Sequence, residues 1–216
     1  MYQLFSGPYY DYVLSQEPLC GAEYFARGSS AMLFQRDGNL YRLTTDGCGH
    51  GFLAEQSAKG NPSVVHVFKD FGPLAPSDDY GDWGVYYWLA QVERMEPIDP
   101  NSLEGARLNA ILLSLTKGES SVDPADRPQF LIDCEAAAAA HEEFAPLLRT
   151  LIQAENSLFD EEGLVDANIT NVMRRPATGE LAWVDPINEA IGTLTEAQEA
   201  EMERVHELIR AKAATA

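Results

Sequence analysis

Apolar residues recur at every second position through the early part of the chain and at every third or fourth position through its middle. The first pattern predicts strands and the second helices. Residues 22–44 read as three short strands. Asp37-Gly38 supplies a hairpin turn between Met32-Leu33-Phe34 and Leu40-Tyr41-Arg42-Leu43, and Gly28-Ser29-Ser30 supplies the turn before it. Residues 46–60 predict a glycine-rich loop and then a short helix ended by Gly60. Residues 61–72 lead into a fourth strand, 73–83 form a polar loop with Pro73 and Pro76, and 84–96 form a long fifth strand ended by Pro97 and Pro100. Residues 1–20, broken by Gly7, Pro8 and Pro18, predict an irregular extension that packs on the rest.

After residue 97 the spacing becomes helical. Asn101 or Ser102 caps a helix with Leu103, Ala106, Leu108, Ile111, Leu112 and Leu115 on one face, ended by Lys117-Gly118. A second helix spans 128–142, where the run Ala136 to Ala140 favours helix strongly. Pro146 opens a third, which turns Leu147, Leu148, Leu151 and Ile152 inward and feeds through residues 159–163 into a loop. That loop begins a hairpin, Asp166 to Asn188: Val172-Met173 start one strand, Pro176 to Gly179 carry turn chemistry, and Leu181 to Val184 form a second strand tipped by Asp185. A last helix, 196–213, opens on the capping-box sequence Thr195-Glu196-Ala197-Gln198. These elements predict an α+β chain with a β-rich part over 1–96 and a mainly helical part over 97–216.

Composition narrows the class. The 216 residues are 45% hydrophobic with nine Phe, nine Tyr and three Trp, enough for a proper core. No apolar run approaches the roughly 20 residues that span a bilayer, and the N-terminal stretch lacks the pattern of a signal peptide. Three scattered cysteines, Cys20, Cys48 and Cys134, lack zinc-ligand spacing and suit reduced thiols in a cytoplasm. The formal net charge of −19 opposes direct binding to nucleic acid or an anionic membrane and is compatible with a basic protein partner.

The candidate chemistry lies in the hairpin. It presents Asp166, Asn171 five residues on, and Asp185 close together, an all-oxygen donor set that suits Mg²⁺ better than zinc. The order D-x(4)-N, strand, turn, strand, D resembles the catalytic loop and metal-binding Asp of the protein-kinase-like superfamily. Leu164-Val165 stand where the usual form has His-Arg, and Asp185-Pro186-Ile187 where it has D-F-G. The Asp-Pro ending resembles a divergent branch that includes the early serine/threonine kinases of short-tailed bacteriophages. Asn61-Pro62-Ser63-Val64-Val65 also matches a segment common in that superfamily.

The resemblance covers residues 22–188 and implies a two-lobed kinase-like fold, with a small antiparallel sheet and one helix in the first lobe and a truncated helical second lobe. It implies ATP and Mg²⁺ as cofactors, with Asn171 and Asp185 on the metal and Asp166 as the catalytic group. Gly28, Ser29 and Ser30 would face the phosphates, although the family's further glycines are absent. Arg42 would stand where the family has a phosphate-binding lysine, Glu55 would hold Arg42, and Glu93 to Met95 would meet adenine. The short tail after Asp185 departs from the long activation segment of other kinases. Two functions follow. One is a protein kinase acting on Ser or Thr of host proteins in the host cytoplasm, with a small-molecule acceptor also open. The other is a catalytically weak pseudokinase whose acidic surface binds a basic host protein.

Overall fold

The hairpin centred on Asp37-Gly38 forms as the alternation predicts. In the computed structural model, which describes residues 5–77, 85–158, 163–188 and 192–214, Asp37 and Gly38 both take positive φ, 52° and 79°. That is the twist a two-residue hairpin needs. They join β2 (Ala31–Arg36) to β3 (Asn39–Thr44). With β1 (Glu23–Arg27), β4 (Val67–Pro76) and β5 (Tyr86–Val92) these make a five-stranded antiparallel sheet ordered β1-β2-β3-β5-β4. Residues 78–84, which include the rest of the polar loop expected over 73–83, and residues 159–162 lie outside the described residues.

The chain divides into two compact units, Met1–His50 with Val67–Glu93 and Ile191–Ala216, and Gly51–His66 with Arg94–Ala190. A single cut after residue 96 would assign 51–66 and 191–216 the other way round. The reason is local to each unit. The last helix, α6 (Glu196–Ala213), buries Met202, Val205 and Ile209 along one stripe and packs on β4. Its Val205 and Ile209 share a core with Phe34, Tyr41, Leu43, Tyr87 and Leu89 of the sheet. The expected capping box is present, with Thr195 accepting from the Gln198 N–H and Gln198 reaching back to Thr195.

Three expectations for this unit are corrected. Residues 1–20 are not wholly irregular: Pro8–Ser15 form α1, which packs on β4 and α6 and buries Val13 completely. Pro8 sits in the first turn, where its missing N–H costs nothing, so it starts this helix instead of breaking the chain. The glycine-rich loop is the beginning of α2 (Gly47–Ala58), because Asp46 accepts the Gly49 N–H at 2.9 Å and so caps it. Gly47 has no room for a side chain there, since a Cβ would lie 2.6 Å from Trp88 Nε1 and 2.7 Å from Gly192 Cα. The loop expected from Pro73 is strand: β4 runs on to Pro76 at the sheet edge, with register shifts that absorb the prolines.

The second unit is mainly helical. Ser102 caps α3 (Leu103–Leu115) by accepting from the Gly105 N–H at 3.0 Å. Its buried stripe is Gly105, Leu108, Leu112 and Leu115, so Leu103 and Ala106 lie off the face predicted for them, with Leu103 81% exposed. α4 (Arg127–Ala140) packs on both α3 and α5 (Ala145–Ser157), and α5 buries Leu147, Leu148 and Leu151, with Pro146 in its first turn. Two small sheets complete the unit. β6 (Glu96–Pro97), β8 (Val172–Arg174) and β9 (Leu181–Trp183) make one; β7 (Leu164–Val165) and β10 (Ile187–Asn188) make the other. Among the described residues no helix is long and apolar enough to cross a membrane.

Candidate active site

Strand β7 ends at Val165, so Asp166 is the first residue beyond it. Pairing of Val165 with Ile187 sets Asp166 opposite the chain that follows Asp185, and the Asp166 N–H donates to the Pro186 carbonyl at 3.0 Å. From Asp166 the chain turns once through a short 3-10 turn, Ile169–Asn171. Asn168 caps this turn, its side chain accepting from the Thr170 N–H and hydroxyl, both at 3.0 Å. Asn171 then meets the far end of β9, where the Val184 N–H donates to its carbonyl at 2.9 Å. The spacing D-x(4)-N and the two-strand hairpin thus bring Asp166, Asn171 and Asp185 to one place.

The hairpin is built for rigidity. Val172 to Arg174 pair in register with Leu181 to Trp183, and Gly179 closes the turn at φ 79°. Trp183 is fully buried, its indole N–H donating to the Leu147 carbonyl at 3.0 Å. On its other side the Val65 N–H donates to the Trp183 carbonyl, the Trp183 N–H donates to Ser63, and Arg175 donates to the carbonyls of Pro62 and Val64. The segment Asn61 to Val65, expected to lead into the fourth strand, is therefore fastened to this hairpin. The Asn61 amide adds hydrogen bonds to Gln56, Thr150 and Gln153.

Burial pushes the Asp166 carboxyl above its usual range. Hydrogen bonds from the Asn171 side chain and the Asn168 N–H pull it down, and the neighbouring Asp185 charge pushes it up again. Its Oδ1 is buried and has no hydrogen-bond donor among the described residues. A buried carboxylate oxygen left without a donor costs free energy unless a cation or substrate proton reaches it. With Asp185 carboxylate and Asn171 amide beside it, the donors are all hard oxygens, and they fit Mg²⁺. Among the described residues no group of three or more His, Cys, Asp or Glu is placed to hold a metal ion. A cation here would depend on the Asn171 amide as well as the carboxylates.

The other candidates lie as follows. Gly28 and Ser29 are exposed in the β1–β2 turn, where the Gly28 N–H donates to the Ala31 carbonyl at 2.8 Å and the Ser30 carbonyl accepts from the Thr44 hydroxyl at 2.8 Å. Arg42 is buried in the middle of β3, opposite Leu33 on β2 and Ala90 on β5. Glu55 lies exposed on α2 and pairs with Lys59 one turn on, at 2.6 Å. Glu93 and Met95, both half-buried, follow β5. His66 is exposed, with its Nδ1 3.1 Å from the Ser57 hydroxyl, in keeping with a surface histidine.

Two features lie beyond the reach of sequence patterns. One is His50, buried beside Trp88 and bonded to Asp70 at 2.8 Å. The other is Arg127, which reaches the chain just before β7. Neither carries a local sequence signal, because each meets its partner far along the chain.

No protein-family model matches the chain, and a search of curated proteins finds no match. Among solved structures the chain is similar to a thermostable mutant of the aminoglycoside phosphotransferase APH(4)-Ia, determined as a ternary complex with AMP-PNP and hygromycin B. The identity is 15%, over 82% of this chain and 70% of that one, with a TM-score of 0.32. A similarity at that level carries no inference about fold or activity.

Proposed function

We propose that the chain is a Mg²⁺-dependent phosphotransferase that moves the ATP γ-phosphoryl group to a hydroxyl. The observation that carries this reading is the convergence of Asp166, Asn171 and Asp185, with the Asp166 Oδ1 buried and undonated. Asp185 and Asn171 would hold the metal, and Asp166 would take the proton of the acceptor hydroxyl. Bound Mg²⁺ would neutralise charge on the phosphoryl group, and ATP would supply that group. The work of the chain's own residues is then positioning. The Asn171 amide and Asn168 N–H hold the Asp166 carboxyl, and the burial that raises its pKa makes it a stronger base.

The finer assignments rest on the sequence resemblance: Ser or Thr of host proteins as acceptors, a bacteriophage setting, and phosphate or adenine contacts at Gly28, Ser29, Ser30, Arg42, Glu93 and Met95. One departure favours a second reading. Arg42 stands at the lysine position, and its planar fork differs from an ammonium, so the chain would be a catalytically weak binding module directed at a basic partner.

Transfer of labelled γ-phosphate from Mg-ATP to the protein itself and to a bacterial lysate separates the two. Label that appears with the wild type and is lost in Asp166→Ala supports the phosphotransferase. Absence of transfer by folded wild type supports the binding module. Asp185→Ala is expected to remove Mg²⁺-dependent nucleotide binding, and unchanged affinity would move the metal elsewhere.

A further inference from the structure

Strand β7 has two edges. One pairs with β10. The other is held by the segment leading into α4: the Val122 N–H donates to the Val165 carbonyl at 3.1 Å, and the Arg127 guanidinium donates through Nη2 to the Gly163 carbonyl at 2.5 Å. Arg127 is itself held from α5, its Nε lying 3.2 Å from Glu155 Oε1, with the two side chains only 14% and 6% exposed. Burial pushes the Glu155 carboxyl up while the Arg127 charge pulls it down. An ion pair this deep is expensive to bury, and replacing such a pair by apolar residues often leaves a protein equally stable or more so. Stability is thus a weak account of why it sits here. Its geometry offers another: it joins α4, α5 and the two-residue strand whose next residue is Asp166.

We propose that Arg127 is a positioning residue, which through the Gly163 carbonyl and with Glu155 as its anchor sets where β7 delivers Asp166. The proposal rests on the phosphotransferase reading for its consequence in catalysis but not for its consequence in structure. Arg127→Met alone would strand Glu155 as a buried charge and risk misfolding. The pair Arg127→Met with Glu155→Gln removes both charges together.

The test measures this double variant, Arg127→Lys and wild type by amide hydrogen exchange and by steady-state phosphoryl transfer. In the double variant the Val122 and Asp166 amides, which donate to the Val165 and Pro186 carbonyls, are expected to exchange about tenfold faster while those of Phe130 and Leu151 keep their protection. Its kcat is expected to fall on the order of 100-fold, the scale of a reacting group displaced by about 1 Å. KM for ATP should stay within about twofold, since substrate binding is not what Arg127 serves. Arg127→Lys should recover part of kcat, because an ammonium still donates to a carbonyl.

Wild-type exchange at Val122 and Asp166 together with wild-type kcat would overturn the proposal. So would protection lost equally throughout α4 and α5, which is the mark of a merely structural pair. If the wild type transfers no phosphate, the phosphotransferase reading falls, and local exchange at Val122 and Asp166 still decides the positioning role.

Discussion

Replacing Trp183 by Phe tests the attachment of the candidate site to the helices beneath it. Trp183 is the largest of the fully buried side chains, and its indole N–H is bonded to the Leu147 carbonyl of α5 at 3.0 Å. Phe keeps one ring in place and removes the N–H and the fused ring edge. Loss of the hydrogen bond costs about 1 kcal/mol net. Loss of the ring edge is equivalent to about two buried methylenes at ~0.8 kcal/mol each. The sum is about 3 kcal/mol, and the cavity left behind keeps it from being smaller. For a chain of this size that corresponds to a fall in Tm on the order of 6–12 °C.

The assay is urea unfolding followed by far-ultraviolet circular dichroism, with Tm from a thermal scan. Because the chain has two compact units, midpoints and slopes are compared transition by transition. A loss of less than about 1 kcal/mol at unchanged slope would refute the reasoning, since the indole would then be neither bonded nor packed as described.

Other outcomes follow from the groups whose ionisation the fold alters. Burial tends to raise the Asp70 carboxyl, but the His50 hydrogen bond and charge and the Gly72 N–H outweigh it, so the net shift is downward. A lowered carboxyl stabilises the fold above its unfolded value of about 4 and loses that contribution as pH falls through the folded value. The stability gap between wild type and Asp70→Asn should therefore be open at neutral pH and close below about pH 4, and a gap independent of pH in acid melts would contradict the pairing. Burial pushes the Cys134 thiol up to about 12, with the Asp133, Glu135 and Glu155 charges adding to it, and pushes Cys48 to about 11. At mildly alkaline pH a thiol-specific reagent should label the exposed Cys20 first and reach Cys134 only on unfolding. Labelling of Cys134 at the rate of Cys20 in native protein would show that its burial is wrong. Raised thiol values also stabilise the fold below the unfolded pKa and cease to as pH climbs toward the folded one, so stability should decline at strongly alkaline pH.

Much of the site is legible in the order of residues alone. The turn at Asp37-Gly38, the Ser102 and Thr195 caps, the first-turn Pro146, and the strand–turn–strand from Val172 to Trp183 all depend on residues within a few positions of one another. The same holds for Asn168 capping the turn that carries Asp166 to Asn171. Pro8 and Pro73 mislead because a proline's effect depends on which N–H is dispensable. That is set by a helix start in one case and a sheet edge in the other.

By itself, then, the sequence determined most of the elements, their order, and the three oxygen donors that share a hairpin. Tertiary structure alone decided that α6 joins the sheet and Asn61 to Val65 the helices. It also decided that β7 pairs with β10, that Asp166 is buried beside Asp185 with one oxygen undonated, and that Arg127 reaches Gly163 across 36 positions. Local spacing fixes backbone conformation through short-range hydrogen bonds and sterics. Pairing between distant segments, and the desolvation that shifts a pKa, depend on which surfaces meet once the chain has closed its long loops.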